Sequence, residues 1–471
     1  MLAEIPLDVI LEITRSLDLH DSFHLLTTSS YFEWLLSSKD FWLKTLDRIR
    51  IIHLQPLPCP VGTAIVDMPV DSLRRLAIHA YSLKKNWSVD GARPRSVLTI
   101  SLGDDYNQIC VIPGTKIVVT NSNYQLACWH AQFGVCLGAI EHEDRNASHQ
   151  VGSAPPFHQF GQSYIALSSK SRTHVGLIVI KIDYRNEKAI YLSKTYSQTL
   201  PTEELQPILT PDATSDDETA GMVFTRHADQ LGMLVYYNFN DGIVHRVPLG
   251  MRLGAVPACV LRDGHFYIHG QDLDGPSIVV RVPVDSSRRS DAEFDRIAME
   301  IPSSVPAIHM KCIALGDPWL LPPTYGVALV TRRSSETRPS FRRPPLRIDS
   351  IQFWPALDEP SEGRLNLGDV VSYEHHQGIF GLCVGISGRY GVLLSGEPHR
   401  DSMFKAKHSL GLVHLAAEPH APRTSFHALD VAGVPINYYT AVIAVDDALG
   451  VVYITHIGAG AAAKLSVLSY A

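Results

Sequence analysis

From about residue 96 to the C-terminus, short apolar runs rich in Val, Ile and Tyr alternate with turns built from Gly, Pro, Asn and Asp. KIVVTN at 116–121, VGLIVIKID at 175–183, GMLVYYNF at 232–239 and GVVYITH at 450–456 are examples. Almost none keeps a helical spacing, so each reads as a strand bounded by turn residues. A chain with this many strands buries them face to face, as a sandwich, a barrel or a propeller.

A crude repeat chooses among these. Units open near residues 107, 157, 220, 257, 307, 376 and 437. Their spacing centres near fifty residues, as four-stranded propeller blades require. The expectation is a β-propeller of six to eight blades, with an irregular double β-sandwich as the alternative. The clearest unit, IPGTKIVVTNSNYQLACWHAQFGVCLGAIEHE, resembles a WD-repeat-like blade, with Trp129-His130 where that family carries Trp-Asp.

The first ninety-five residues follow a different period. Ile5, Val9, Ile13 and Leu17 recur every four residues, with Ile10 beside them, as one apolar stripe of an amphipathic helix. Pro6 suits a first helical turn, where its missing N–H has no partner to lose. Asp18 and Asp21 frame a second start. Ser30 with Glu33 makes a capping box before YFEWLL, and Ser37 with Asp40 repeats the pattern before FWLKTL. Three or four short helices follow one another, and Leu17, Phe23, Leu26, Phe32, Leu35, Trp42 and Leu46 must meet. About fifty residues make a poor free-standing core, so a partner is expected to cover what remains. After a Pro-rich link, Val70, Leu73, Ala77, Ala80 and Leu83 keep the spacing of one more helix, with Lys84 and Lys85 at its negative end.

The segment IPLDVILEITRSLDLHDSFHLLTTSSYFEWLLSSKDFWLKTL resembles the F-box motif. Ile5-Pro6, Asp18-Leu19, Leu25-Leu26, Thr28-Ser29 and Phe41-Trp42 sit at matching steps, with Ile5 in place of the commoner Leu and His20 where Pro is frequent. The helix ending in Asn86-Trp87 is similar to one in fungal F-box proteins. The resemblance implies docking on the Skp adaptor, and through it on a cullin, in SCF-type ubiquitin ligases. It implies adaptor contact through Ile5, Pro6, Val9, Ile13, Leu25, Leu26 and Trp42.

The domain reading is therefore an F-box helical module at 1–50, a linker and connector helix at 51–95, and a propeller-like substrate-binding domain at 96–471. The fold class is α+β multidomain.

Composition limits what the chain can do. With 41 basic and 48 acidic residues the formal charge is −7, which gives no global attraction to nucleic acid. The seven cysteines are scattered without a C-x-x-C, as in a reducing compartment. MLAEIPLDVI lacks a basic leader before its apolar residues, and no apolar run reaches the length of a membrane span. A cytoplasmic or nuclear location is expected, with no membrane partner.

No catalytic, metal or cofactor site is read. Gly458 to Ala463 match a dinucleotide fingerprint in form, but too few residues follow for a βαβ unit. The 22 histidines, His375-His376 among them, show no zinc-ligand spacing. There is no G-x-S-x-G elbow and no P-loop. Two charged segments stand out as exposed loops. LPTEELQPILTPDATSDDETA holds six acids and no base; TRRSSETRPSFRRPPLR holds six arginines and one glutamate. Arg332, Arg333, Arg338, Arg342, Arg343 and Arg347 are candidates for gripping an acidic or phosphorylated partner, since guanidinium groups hold phosphate bidentately.

The function expected is a non-catalytic substrate-recognition subunit of an SCF-type ligase, its target protein unspecified. The alternatives are a propeller scaffold outside a ligase and, behind it, a propeller hydrolase.

Overall fold

The computed structural model describes residues 5–471 apart from positions 18 and 29 and a set of segments between elements. The longest of these are 285–296, 316–323, 333–345, 356–364, 397–407 and 415–425, and between 285 and 381 only strand backbone is described.

Helices come first: α1 (Leu7–Ser16), α2 (Leu19–Thr27), α3 (Ser30–Leu36), α4 (Lys39–Ile51) and α5 (Val70–Trp87). Helix α1 starts one residue later than the proline rule suggests. Pro6 is its N-cap, and the Pro6 carbonyl accepts from the N–H groups of Val9 and Ile10, both at 3.1 Å. The helices enclose one core of Ile10, Leu26, Phe32, Leu35, Phe41, Trp42, Leu46 and Ile49. The Thr14 carbonyl, near the open end of α1, accepts from Ser22 Oγ at 3.1 Å and from Arg48 Nη1 at 2.8 Å. These bonds satisfy a helix end that is otherwise short of partners.

The remainder is β. Among the described residues every pairing between strands is antiparallel, in six sheets. Tyr106–Ile112, Ile117–Ser122, Gln125–His130 and Val135–Glu141 form the first sheet, in chain order from one edge to the other. With the two halves of the nine-stranded sheet that follows numbered as third and fourth, the second spans Ser148 to Pro201, the fifth Ala307 to His375 and the sixth Gly378 to Leu429. Between the second and fifth, strands from Leu205 to Glu300 form one nine-stranded sheet, whose two halves share, among the described residues, only the Arg252–Gln271 pairing. The acidic segment is not simply a loop there. Leu205–Pro207 and Asp212–Thr214 pair with Thr219–Arg226, because that strand would otherwise present an open edge.

The last sheet joins the two ends of the β region. Ser96–Gly103 pairs with Ala463–Ser469, beside Val451–His456 and Thr440–Asp446. Successive sheets then pack face to face. Ile112, Val119 and Leu126 of the first meet Ile165, Leu167 and Ile180 of the second. Ala166 and Val179 of the second meet Met222 and Phe224 of the nine-stranded sheet. Val111 and Val118 of the first meet Tyr453 and Leu465 of the closing sheet, which meets Tyr390 and Leu412 of the sixth through Val452 and Leu468. This is a propeller arrangement closed by strands from both ends of the β region, preceded by a few helices.

Two adjacent aspartates fasten the closing sheet to both neighbours. Asp446 accepts from the N–H of Gly114 in the first sheet at 2.9 Å, and from the N–H groups of Ala448 and Leu449 in its own turn. Asp447 accepts from the hydroxyl and the N–H of Ser387 in the sixth sheet. Both side chains are fully buried. Burial pushes the Asp446 carboxyl up to about 6 and, with Asp446 beside it, that of Asp447 to about 7.

Candidate docking surface

The residues assigned to adaptor contact separate into two groups. Leu26 and Trp42 are fully buried, and Ile5 packs against the same core. The Trp42 indole N–H donates to the Leu36 carbonyl at 2.7 Å, which orients the ring inside the module. These side chains hold the helices together and offer little surface. The accessible remainder is Pro6, Val9, Ile13 and half-buried Leu25. Val9 and Ile13 are 43% and 39% exposed, because α1 turns Ile10 and Thr14 to the core instead. Trp34 on α3 is also exposed. A helix that leaves a Val–Ile stripe one turn apart in water has a surface suited to an apolar partner.

Helix α5 fixes where that surface points. One stripe along it, Leu73, Ala77, Ala80, Leu83 and Trp87, is buried throughout. Its first three residues belong to the helical core, and Leu83 and Trp87 belong to the propeller core with Tyr390 and Tyr470. Eighteen residues of helix span about 27 Å, so one rigid element is shared by both cores. Secondary ties surround it. Gln55, in the Pro-rich link and 1% exposed, accepts from the Tyr390 hydroxyl at 2.8 Å. Asn86 Nδ2 donates to the carbonyls of Tyr470 at 2.6 Å and Arg93 at 3.1 Å. His79 Nε2 lies 3.2 Å from the Leu449 carbonyl, and burial holds its pKa low. No periodic signal in the Pro-rich link points to Gln55, whereas Trp87 lies on the α5 stripe.

Most of the candidate arginines, Arg333, Arg338, Arg342 and Arg343, lie outside the described residues. The backbone places Arg332 and Arg347 at the ends of Thr324–Arg332 and Leu346–Pro355, which pair with each other and bracket 333–345. Of the glycine-alanine motif only Ala463 is described, as the first residue of the last strand.

A polar cleft of about 410 Å³ lies between the first and second sheets. Within it the imidazoles of His142 and His149 stack at 4.0 Å. His142 Nε2 is 2.9 Å from Asn121 Oδ1, while Asn121 Nδ2 donates to the His149 carbonyl. Burial, then the neighbouring His149, lowers the His142 pKa to about 4, so the ring is neutral near pH 7. Among the described residues no cluster of His, Cys, Asp or Glu has the build of a metal site, and no helix is long and apolar enough to cross a membrane.

No family model matches the chain, and no curated protein matches it. Several solved structures are similar. The WD40 domain of SCAP from fission yeast shares 8% identity at a TM-score of 0.42, over 78% of this chain and 84% of that one. An oligogalacturonate lyase in complex with manganese shares 10% at 0.40, over 79% and 90%. The β-propeller domain of the Trilobed protease from Pyrococcus furiosus shares 11% at 0.36, over 68% and 82%. The propeller arrangement itself rests on the strand order, the closing pairing and the face-to-face cores.

Proposed function

We propose that this chain is the target-recognition subunit of an SCF-type cullin–RING ubiquitin ligase, with an F-box at 1–50. The observation that carries the reading is the exposed Val9–Ile13 stripe, beside Pro6, on a module that α5 ties into the propeller core. The module docks on the Skp adaptor and through it on the cullin. The propeller holds a protein target in the cytoplasm or nucleus. We read the nine-stranded sheet as two blades fused at one edge, making seven with the other five sheets. The arginines of 332–347 are its proposed contact with acidic or phosphorylated target segments.

Such a subunit contributes no nucleophile. Its chemistry is proximity: a target lysine is held near a loaded ubiquitin-conjugating enzyme, so a bimolecular encounter becomes an intramolecular one. Rigidity therefore matters, and a helix common to both cores supplies it.

The test is a pulldown with purified Skp adaptor. Wild type is expected to bind, and a Pro6→Ala, Val9→Asp double variant is expected to fail, because the aspartate would lie unpaired in an apolar contact. If wild type itself does not bind, the chain is a propeller scaffold acting outside a ligase.

A further inference from the structure

An open groove of about 660 Å³ runs between α2, α5 and the 88–95 segment that leads into the closing sheet. It shares no residue with Pro6, Val9, Ile13 or Leu25. Phe23, Ile78 and Val89 contribute to its floor, with the Trp42 ring among its lining groups. Ile78 and Val89 are 42% and 54% exposed, a large share for aliphatic side chains on well-packed elements. The Arg74 guanidinium stands 5.4 Å above the Phe23 ring.

The ionisable groups decide what fits. Among the described residues, apart from the phenol of Tyr81, those lining the groove are basic: His20, Lys85, Arg93 and Arg95, on a chain whose net charge is −7. Arg93 is already paired, its Nε 3.3 Å from Asp430. Lys85 and Arg95 have no acidic partner among the described residues. Asn86 is occupied by the Tyr470 and Arg93 carbonyls, so it braces the wall rather than waiting for a ligand. An apolar floor beneath unpaired cations favours an occupant with the opposite pattern.

We propose that this groove binds a short acidic peptide segment of a partner protein, with one or two large apolar side chains seated on Phe23, Ile78 and Val89 and carboxylates facing Lys85 and Arg95. Because α5 and the 88–95 segment also touch the propeller core, the occupant would sit at the junction of module and propeller.

The test uses the full chain and a fluorescein-labelled hexapeptide of four glutamates around a central leucine–tryptophan pair, read by fluorescence polarisation. The wild-type chain is expected to bind it. The Lys85→Glu, Arg95→Glu double variant should weaken binding by at least about tenfold, and so should replacing the glutamates by glutamines. Val89→Asp should do the same through the floor. All three positions are exposed, so circular-dichroism melting should match wild type; Lys116→Glu, in the exposed turn before Ile117–Ser122, is the control that should bind normally. The proposal is overturned if wild type ignores the peptide, if the double variant binds as wild type does, or if a hexaglutamate binds equally well. Binding of dodecanoate with none of the peptide would also overturn it, in favour of a small amphiphile.

Discussion

The indole of Trp87 meets the ring of Tyr390 edge-on, with centroids 5.0 Å apart. One residue ends the helix that begins in the N-terminal module; the other begins a strand of the sixth sheet, 303 positions later. Tyr390 also donates to Gln55, so the same ring is held by the link and by the helix. Trp87→Ala is expected to destabilise the chain by about 3–5 kcal/mol, the range for emptying a large aromatic site in a core. Tyr390→Phe keeps the ring contact and should cost only about 1 kcal/mol plus the orphaned Gln55 oxygen. Urea unfolding of both variants checks the ratio.

Val9 and Trp42 should behave oppositely, although the F-box resemblance assigns both to one surface. Val9→Asp lies on an exposed helix face and should shift stability by no more than about 0.5 kcal/mol. Trp42→Ala empties a fully buried site and should cost about 3–5 kcal/mol. Thermal melting separates them, and a large loss of stability for Val9→Asp would mean that α1 sits differently.

Gly450 is a narrower test of the seam between α5 and the closing sheet. Its φ of +68° is left-handed, and an added Cβ would lie 2.3 Å from Leu83 Cδ1. Gly450→Ala should therefore cost about 1–3 kcal/mol through strain and overpacking together. A companion Leu83→Ala change should recover part of the overpacking loss but none of the backbone strain, which a double-mutant cycle would read.

Asp446 and Asp447 make closure of the ring sensitive to pH. Both carboxyls titrate higher in the folded chain than their ordinary value of 3.8, at about 6 and about 7. The native state thus binds more protons than the unfolded state between roughly pH 4 and 7, and stability from this pair falls as pH rises through that window. Each tenfold change in proton affinity is worth roughly 1.4 kcal/mol, and the two shifts together span about five such steps, so the loss reaches about 7 kcal/mol at most. Urea midpoints at pH 4.5 and 7.5 should differ less in Asp447→Asn than in wild type.

Much of this architecture is legible in the residues alone. The four-residue stripe of α1, the Ser30 and Ser37 starts and the Leu73–Ala77–Ala80 spacing are local signals, and helices stand at each. Strand positions are legible for the same reason: alternation and turn residues act over a few neighbours. Expected unit openings at 107, 257, 307, 376 and 437 fall beside strands that begin at Tyr106, Cys259, Ala307, Gly378 and Thr440. What the β edge at Thr219–Arg226 would recruit is not legible, because the two three-residue strands that cover it, LQP and DAT, have little apolar pattern of their own.

The sequence by itself determined where the period changes from helix to strand, which residues are apolar on each element, and that the first fifty residues leave a face uncovered. Only the tertiary structure decided which apolar residues are core and which are surface: Trp42 inside, Val9 outside. It also decided that Ser96–Gly103 pairs with Ala463–Ser469 and that Trp87 reaches Tyr390. Periodicity is a property of a few adjacent residues. Burial and ring closure depend on groups hundreds of positions apart, and no local pattern carries their pairing.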